Sequence, residues 1–400
     1  MPGPALERLR RSPVAAALAG EPAAWIVGGA VRDALLGRPP AEVDVVVEGD
    51  AVAVARRAAE RLGGHVVAHD RFGTATVRAG ALVFDVAATR AETYARPGAL
   101  PDVTLGAPLA ADLARRDFTV NAMAVRIADG ELTAWPGAED DLGAGVLRVL
   151  HDAAFIDDPT RLLRLARYTA RLGFTPEPST AELAAAAVAD GALETVSGAR
   201  LGAELRRLLR EPQPAAMVAV SGFGLGATLL PGFAPDPEFV ARALAACPDD
   251  GRGDLVALAA CLRLPPGPVR RLADRLAFPA GDRAVLAAST ARDGIAAALA
   301  PEALAPSGVR EVLRRRSVEL AALVAAGGGR AGERAARWIA EWRHVEPAIT
   351  GHDLLAAGLE GPAVGAGLEA AIAARLDGRA PDRAAQLAVA LAAARPGGAP

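Results

Sequence analysis

The stretches Ala24-Trp25-Ile26-Val27-Gly28-Gly29-Ala30-Val31-Arg32-Asp33 and Glu42-Val43-Asp44-Val45-Val46-Val47 decide the fold. Ala24–Val27 is a short apolar run that ends in a glycine pair. Val31–Leu36 reads as a helix stopped by Gly37 and by Pro39-Pro40. Val43–Val47 is β-branched and reads as a strand. A glycine pair between a strand and a helix lets backbone N–H groups come close to a phosphate, at the end of the helix that favours anions. The same pair also fits a tight turn that binds nothing. Side chains at i and i+2 of a strand share a face, so Glu42 and Asp44 are expected to point together, with Val43, Val45 and Val47 on the core side. Two adjacent carboxylates repel unless a cation lies between them. Mg²⁺ is the natural cation where a triphosphate must be gripped. A solvated strand face accounts for the same spacing without a metal.

Outward from this stretch, Ala51–Leu62 reads as a helix ending at Gly63-Gly64. Thr74–Arg78 and Ala81–Ala87 read as two strands joined at Ala79-Gly80. Residues 24–135 therefore form an α/β module on a small sheet. In Leu82-Val83-Phe84-Asp85-Val86-Ala87 an acid interrupts an apolar run. Buried Asp is rare unless paired or metal-bound, so Asp85 is a candidate third carboxylate beside Glu42 and Asp44; an exposed position on an edge strand competes. From Asp157 onward β-branched runs vanish. Helices are expected at 159–172, 179–188, 199–209, 214–221, 237–246, 253–262, 268–276, 281–300, 308–325, 331–343, 351–357 and 364–376, with a hinge at Gly327–Gly329 and a frayed end over 394–400. No fixed repeat period appears, which argues against a solenoid.

Composition narrows the chemistry. The chain has 400 residues, 52% hydrophobic, with 44 basic against 47 acidic side chains and a net charge of −3. This excludes a disordered chain and a global basic field. No Lys occurs, so all 44 basic residues are Arg. That excludes Schiff-base chemistry and a Walker-type phosphate loop, and leaves local Arg clusters, whose planar forks grip phosphate bidentately. Cys247 and Cys261 are too few for a disulfide framework or a zinc site. No signal peptide and no apolar run of 18 residues is seen, so a soluble, cytoplasmic chain is expected. His69-Asp70, His151-Asp152 and His352-Asp353 are His-Asp dipeptides, without the further ligands a metal phosphohydrolase needs.

Three more segments bear on function. Arg115-Arg116-Asp117-Phe118-Thr119-Val120-Asn121-Ala122-Met123-Ala124 joins two arginines to an acid and an amide. Asp157-Asp158-Pro159-Thr160-Arg161 opens a helix on which Arg161, Arg164, Arg167 and Arg171 form a stripe. Asp158 before Pro159 also suits an N-cap, and the stripe also suits a solvated face. An Asp carboxylate accepts from an exocyclic amine and an Arg donates to a ring nitrogen or carbonyl, so such a pair can imitate base pairing with C or A. The third segment is the loop Arg90–Pro101.

Together these segments resemble the class II tRNA nucleotidyltransferases (CCA-adding enzymes) and their bacterial poly(A) polymerase relatives, over roughly residues 24–175. A weaker likeness returns at 349–377. The resemblance implies an α+β, polymerase-beta-like head at 1–150, a helical neck at 151–215, a helical body at 216–325 and a helical tail at 326–400. It implies Mg²⁺ on Glu42 and Asp44, with Asp85 as a weaker third ligand. Gly28, Gly29, Arg32 and Arg116 would hold the triphosphate, with Asp33 beside them. Asp117 would fix Arg116 and Asn121 would meet a ribose hydroxyl. Asp158 and Arg161, followed by Arg164 and Arg167, would select CTP or ATP for the 3′ end of tRNA. Two departures stand out: Glu42 replaces the family's usual Asp, and Asp157 its usual Glu. The alternatives are a split enzyme that adds only A or, less in keeping with the loop around Arg96, only CC; a poly(A) polymerase; and an inactive helical RNA-binding protein.

Overall fold

The computed structural model describes residues 4–40, 42–69 and 73–394. Asp70 of the first His-Asp dipeptide and residues 395–400 of the expected frayed end lie outside them. The chain divides into two compact units, residues 1–211 with 222–229, and 212–221 with 230–400.

The first unit is built on a seven-stranded sheet. Its strands are β1 (Ala24–Val27), β2 (Asp44–Val47), β3 (His65–His69), β4 (Thr74–Ala79), β5 (Leu82–Ala88), β8 (Met123–Arg126) and β9 (Leu132–Ala134). They lie in the order β3-β4-β5-β2-β1-β8-β9. Only the β2–β5 pairing is parallel. A separate hairpin joins β6 (Arg90–Thr93) to β7 (Asp102–Leu105). The Ala51–Leu62 helix has the expected bounds. Asp50 caps its start by accepting from the Ala53 N–H at 3.0 Å, and Gly63 ends it at φ +63°. Its small apolar face packs on Ala75, Val77, Phe84 and Val86, all buried. The opposite side of β5 carries the exposed Val83 and Asp85.

β2 departs from expectation. It begins at Asp44, so Glu42 precedes the strand and does not share a strand face with Asp44. Val45, Val46 and Val47 are all buried. Val46 packs with Trp25, Val27, Leu109, Leu113 and Ala124 on the side away from the long helix. A strand near the middle of a sheet covered on both faces is apolar on both, and the alternation that the spacing implied is lost. Two of the strands that the pattern missed are poor in its signal: β3 alternates only between exposed and half-buried, and all four residues of β7 are exposed.

The rest is helical. Thr160–Leu172, Pro178–Ala189 and Gly198–Leu208 complete the first unit's helical part, and the second unit is built of helices. Two expected long helices are each broken in two. The first breaks between Ala280–Ser289 and Arg292–Leu299, where the Ser289 and Thr290 hydroxyls each donate to the carbonyl three residues back, at 2.7 Å. The second breaks between Pro306–Leu313 and Val318–Ala326, where Ser317 caps the new start. An unexpected helix, Arg383–Ala393, starts at the cap residue Asp382. The second unit's core gathers Leu299, Val309, Leu313, Leu320, Trp338 and Ile339. Cys247 and Cys261 are free thiols raised by burial, Cys261 to about 12. Among the described residues no helix is long and apolar enough to cross a membrane.

Phe84 is 3% exposed between β5 and the Ala51–Leu62 helix. Phe84→Ala is expected to cost about 3–5 kcal/mol, read as a lower urea midpoint at unchanged slope.

Candidate active site

A polar cleft of ≈ 340 Å³ opens in the first unit. Gly28, Gly29, Asp44, Arg116, Asp117, Asn121, Asp158, Arg161 and Arg164 all line it. Thus nine of the residues singled out in the sequence, from separate segments of the chain, meet at one place. Arg32, Asp33, Arg167, Glu42 and Asp85 are not among its lining residues.

Gly28 opens the site. Its φ is +69°, and a Cβ there would stand 2.7 Å from Arg116 Nη1. The backbone conformation calls for glycine, and a Cβ there would force the Arg116 guanidinium to shift. The Gly28 N–H is already spent on the Met123 carbonyl at 2.9 Å. What the glycine supplies is space, not a donor.

Arg116 is held by Asp112, not by Asp117 as expected. Its Nη2 lies 2.9 Å from Asp112 Oδ2, while Asp112 Oδ1 accepts from Arg115 at 2.8 Å. Asp112 is fully buried in the Leu109–Ala114 helix, whose first N–H donates to Glu48 Oε1 at 2.7 Å. Burial alone would raise the Asp112 carboxyl; Arg115 and Arg116 overcome this and hold it down. Burial in turn lowers Arg116, against the pull of Asp112. Asp112 precedes its two arginines by three and four residues, a spacing that places them on one helical face. That signal was present in the sequence and unused.

Asp117 serves the selecting helix instead. Its Oδ2 accepts from Arg164 Nε at 2.7 Å, and its Oδ1 from Asn121 Nδ2 at 2.9 Å and the Phe118 N–H at 2.8 Å. The Asn121 side-chain oxygen accepts from Arg32 Nη1 at 2.6 Å. Arg32 is 1% exposed and also pairs with Asp33 at 2.7 Å. Arg32 and Asp33 therefore brace the pocket from behind and do not face a triphosphate. Asn121 lines the pocket with one of its two amide N–H groups committed to Asp117 and its oxygen accepting from Arg32. Burial would raise Asp117, but Arg164 and the Asn121 hydrogen bond outweigh it and bring the carboxyl to about 2. Arg164 is correspondingly raised, against its own burial.

Most of the arginine stripe is not a solvated face: Arg161 and Arg167 are buried and Arg164 half-buried, while Arg171 is exposed and pairs with Glu211 at 2.7 Å. Arg167 is 8% exposed and sits 3.7 Å from Glu204 of the Gly198–Leu208 helix. Arg32, Arg164 and Arg167 all lie over the Tyr168 ring, at 5.3, 5.8 and 4.9 Å from its centroid. Asp158 does not cap its helix in the expected way, because Pro159 occupies the cap position. Its Oδ1 still accepts from the Thr160 N–H at 3.1 Å and the Thr160 hydroxyl at 2.6 Å. Arg161 donates from Nη2 to the Arg115 carbonyl at 2.7 Å.

Asp44 and Asp85 are register partners on the parallel strands β2 and β5. Asp85 Oδ1 accepts from the Thr76 hydroxyl at 2.5 Å. Asp44 is solvent-accessible at the pocket, yet the surrounding protein strips enough water that burial leads the causes raising its carboxyl. The negative charges of Asp85 and then Glu42 add to the rise. Among the described residues no group of three His, Cys, Asp or Glu side chains is arranged to hold a metal ion, so the expected three-carboxylate cluster is not closed. The donor set nonetheless suits a divalent cation: crowded, partly desolvated oxygens whose mutual repulsion a cation would reverse.

Arg90, Glu92, Tyr94, Arg115 and Thr160, which the sequence analysis quoted within its segments without a role of their own, and Tyr168 and Glu204, which it passed over, also line the pocket. Tyr94 donates to Glu92 Oε2 at 3.2 Å and is raised to about 12, by burial first and Glu92 next. The chain has only two tyrosines and both are here; their rarity was the available signal.

Residues 24–148 match the family described as Poly A polymerase head domain. An A-adding tRNA nucleotidyltransferase of Halalkalibacterium halodurans is 44% identical over 196 residues, 48% of this chain and 46% of that protein. A CC-adding tRNA nucleotidyltransferase of Deinococcus radiodurans is 41% identical over 215 residues, 52% of this chain and 55% of that protein. The chain thus spans about half the length of these relatives. The solved structure of a Thermotoga maritima CCA-adding enzyme complexed with tRNA aligns at TM-score 0.73 and 28% identity, over 93% of this chain and 92% of that one. Over residues 24–148 the chain is thus similar to the head domain of the class II tRNA nucleotidyltransferase and poly(A) polymerase family.

Two outcomes follow from this geometry. Gly28→Ala is expected to displace Arg116 and weaken triphosphate binding at least tenfold, on the order of one charge-assisted contact, measured by titration of a non-hydrolysable triphosphate. Asp117, depressed to about 2 from about 3.9 when unfolded, contributes stability that is complete above its unfolded value. That contribution is lost as pH falls from about 4 through about 2. Asp117→Asn should remove this part of the acid dependence in denaturation measured across that window. It should also cost about 1–3 kcal/mol at neutral pH, because Arg164 keeps only the longer pair with Glu204 at 3.7 Å.

Proposed function

We propose that this chain transfers a nucleotide from a ribonucleoside triphosphate to the 3′ end of tRNA, with A addition as its main activity. The observation that carries the reading is the single cleft that joins Asp44, the Gly28–Arg116 contact and the Asp158/Arg161 pair. A nucleotidyl transfer without a nucleic-acid template needs these three things together: carboxylates for a cation, a cationic seat for the triphosphate, and a protein edge that reads the base.

In this reading Arg116, kept in place by Asp112, meets triphosphate charge beside the bare backbone of Gly28. Asp44 and Asp85 would hold Mg²⁺, which when bound lowers the pKa of the RNA 3′-OH and neutralises the leaving pyrophosphate. Asp158 accepts from the exocyclic amine that C and A share, and Arg161 donates to the neighbouring acceptor. Arg164 and Arg167 back this helix through Asp117 and Glu204 and do not touch the base. The division into head, neck, body and tail at 150, 215 and 325 belongs to the same reading.

A addition is favoured by the loop around Arg96, which resembles that of enzymes that incorporate A, and by the 44% identity to an A-adding relative. Full CCA addition from CTP and ATP is the second reading, favoured by the alignment along nearly the whole chain with a CCA-adding enzyme.

The test is sequencing of tRNA 3′ ends after incubation with Mg²⁺ and each triphosphate. The expected product is A on tRNA that ends in CC, with no growth of tRNA lacking CC. Addition of CC as well would move the assignment to the second reading, and untemplated long A tails would overturn both. Asp44→Asn should lower the rate by roughly 10²–10⁴-fold, several kcal/mol at 1.36 kcal/mol per decade, without loss of folding.

A further inference from the structure

Of the three His-Asp dipeptides, His352-Asp353 is spent on a helix start, where Asp353 closes a capping box with Thr350. His151-Asp152 stands beside the cleft. The residues before it are fastened to the Phe118–Thr119 segment: Val149 bridges Phe118, and the Thr119 N–H donates to the Arg148 carbonyl at 2.9 Å. The Val149 N–H donates to Thr180 Oγ1 at 3.2 Å. After it, the His151 carbonyl accepts from the Ala154 N–H at 3.1 Å, at the start of the short helix Ala154–Asp157, where Ala154 and Phe155 are buried. The backbone therefore holds His151 from both sides.

The ring meets Arg161, a buried residue that lines the pocket. Arg161 Nη2 donates to the Arg115 carbonyl at 2.7 Å, and Nη1 lies 3.5 Å from His151 Nε2, at the outer limit of a hydrogen bond. A guanidinium has donors only. The contact is therefore made when Nε2 carries its lone pair, with the ring neutral and its proton on Nδ1. A proton added at Nε2 turns this acceptor into a donor and sets cation against cation. Three charged groups face the ring: Arg161 from the Thr160–Leu172 helix, Asp157 from the short helix and Asp152 from the adjoining turn. Burial comes first in lowering the imidazole from its ordinary 6.5, and Arg161 next, while Asp157 and Asp152 pull the other way and are outweighed. The neutral ring is thus the form present at neutral pH and above. His151 is exposed to solvent, so its proton exchanges freely.

We propose that His151 is a positioning residue for Arg161, and that protonation of His151 releases Arg161 and blurs base discrimination on the acid side of neutrality. This rests on the nucleotide-transfer reading, in which Arg161 donates to the base. With Nη1 and Nη2 both tied, the planar guanidinium is fixed at two points and its remaining N–H groups have defined directions. With Nη1 released it turns about the Arg115 contact. A donor free to turn serves the carbonyl of a wrong base as well as the acceptor of the right one.

The experiment measures kcat/KM for ATP, CTP, GTP and UTP with a tRNA acceptor between about pH 5 and pH 8, for the wild type, His151→Gln and His151→Ala. In the wild type the preference for the best nucleotide over GTP is expected to fall about tenfold, on the order of one charge-assisted contact, as pH falls through the titration of His151. His151→Gln, whose side-chain carbonyl accepts at every pH, should hold the preference near the wild-type value at high pH. His151→Ala should show a low preference that does not change with pH. Ratios between nucleotides cancel the effects of pH on Mg²⁺, triphosphate and the 3′-OH, which all four share. A wild-type preference flat in pH, or one that falls as steeply in His151→Gln, overturns the proposal. So does an equal fall for all four nucleotides in His151→Ala, the mark of a merely structural role; should that variant not fold, His151→Gln decides alone. A second measurement does not depend on turnover: NMR titration of the His151 ring, identified by the signal missing from His151→Gln, in the wild type and in Arg161→Ala. The midpoint should rise when Arg161 is removed, and an unmoved midpoint overturns the proposal. Wild-type protein that transfers no nucleotide to tRNA, even with the midpoint shifted, would overturn the underlying reading and the role in base selection with it. Wild-type transfer with a preference indifferent to pH would overturn this proposal alone.

Discussion

The ion pair between Asp117 and Arg164 ties the sheet to the helix that carries Arg161 and follows Asp158. Asp117 follows the Leu109–Ala114 helix, and Arg164 lies one turn into Thr160–Leu172. Through its other oxygen Asp117 holds Asn121, which in turn holds Arg32 in the helix after Gly28. One carboxylate therefore sets the relation between the glycine turn and the Thr160–Leu172 helix. Such a pair returns little net stability once desolvation is counted, but removing one partner strands a buried charge. Its value here is geometric. Residues 47 positions apart are held at 2.7 Å, and the pocket walls inherit that tolerance.

This arrangement corrects the natural first reading of a motif, in which each polar residue touches substrate. Of Arg115, Arg116, Asp117 and Asn121, only Arg116 has its guanidinium both anchored from behind by Asp112 and beside Gly28. The others spend their hydrogen bonds on protein. A pocket this rich in arginine needs such a backing. Unpaired guanidinium groups so close together would repel one another, and Asp112, Asp117, Glu92 and Glu204 keep them apart and oriented. The absence of Lys fits the same logic, since planar forks can be fixed by carboxylates on one side while they present donors on the other.

How much was legible depended on the range of the interaction. Local signals read well: the Ala51–Leu62 helix, with Asp50 before it and Gly63 after it, came out with its true ends. So did the pocket members of the glycine turn and of the selecting helix. What could not be read is pairing between distant segments. The sequence offered Asp117 a neighbour, Arg116, and nothing in it showed that Arg164 would be nearer. The strand β2 failed for another reason. Alternation reports a sheet with one wet face, and Val45, Val46 and Val47 sit between two dry layers.

The misplaced start of β2 also bears on the carboxylates. With Glu42 outside the strand, its longer side chain is not bound by the pleat, whereas Asp44 and Asp85 are fixed opposite one another by parallel pairing. In the proposed Mg²⁺ site, two short carboxylates on adjacent strands would be the rigid part, with Glu42 as an adjustable neighbour. This gives a physical sense to a glutamate where the family usually has aspartate. A residue that precedes the strand must reach further to the same point, and one more methylene supplies that reach. The charge of Glu42 already contributes to the rise of the Asp44 carboxyl, so it acts on the same small volume from outside the sheet.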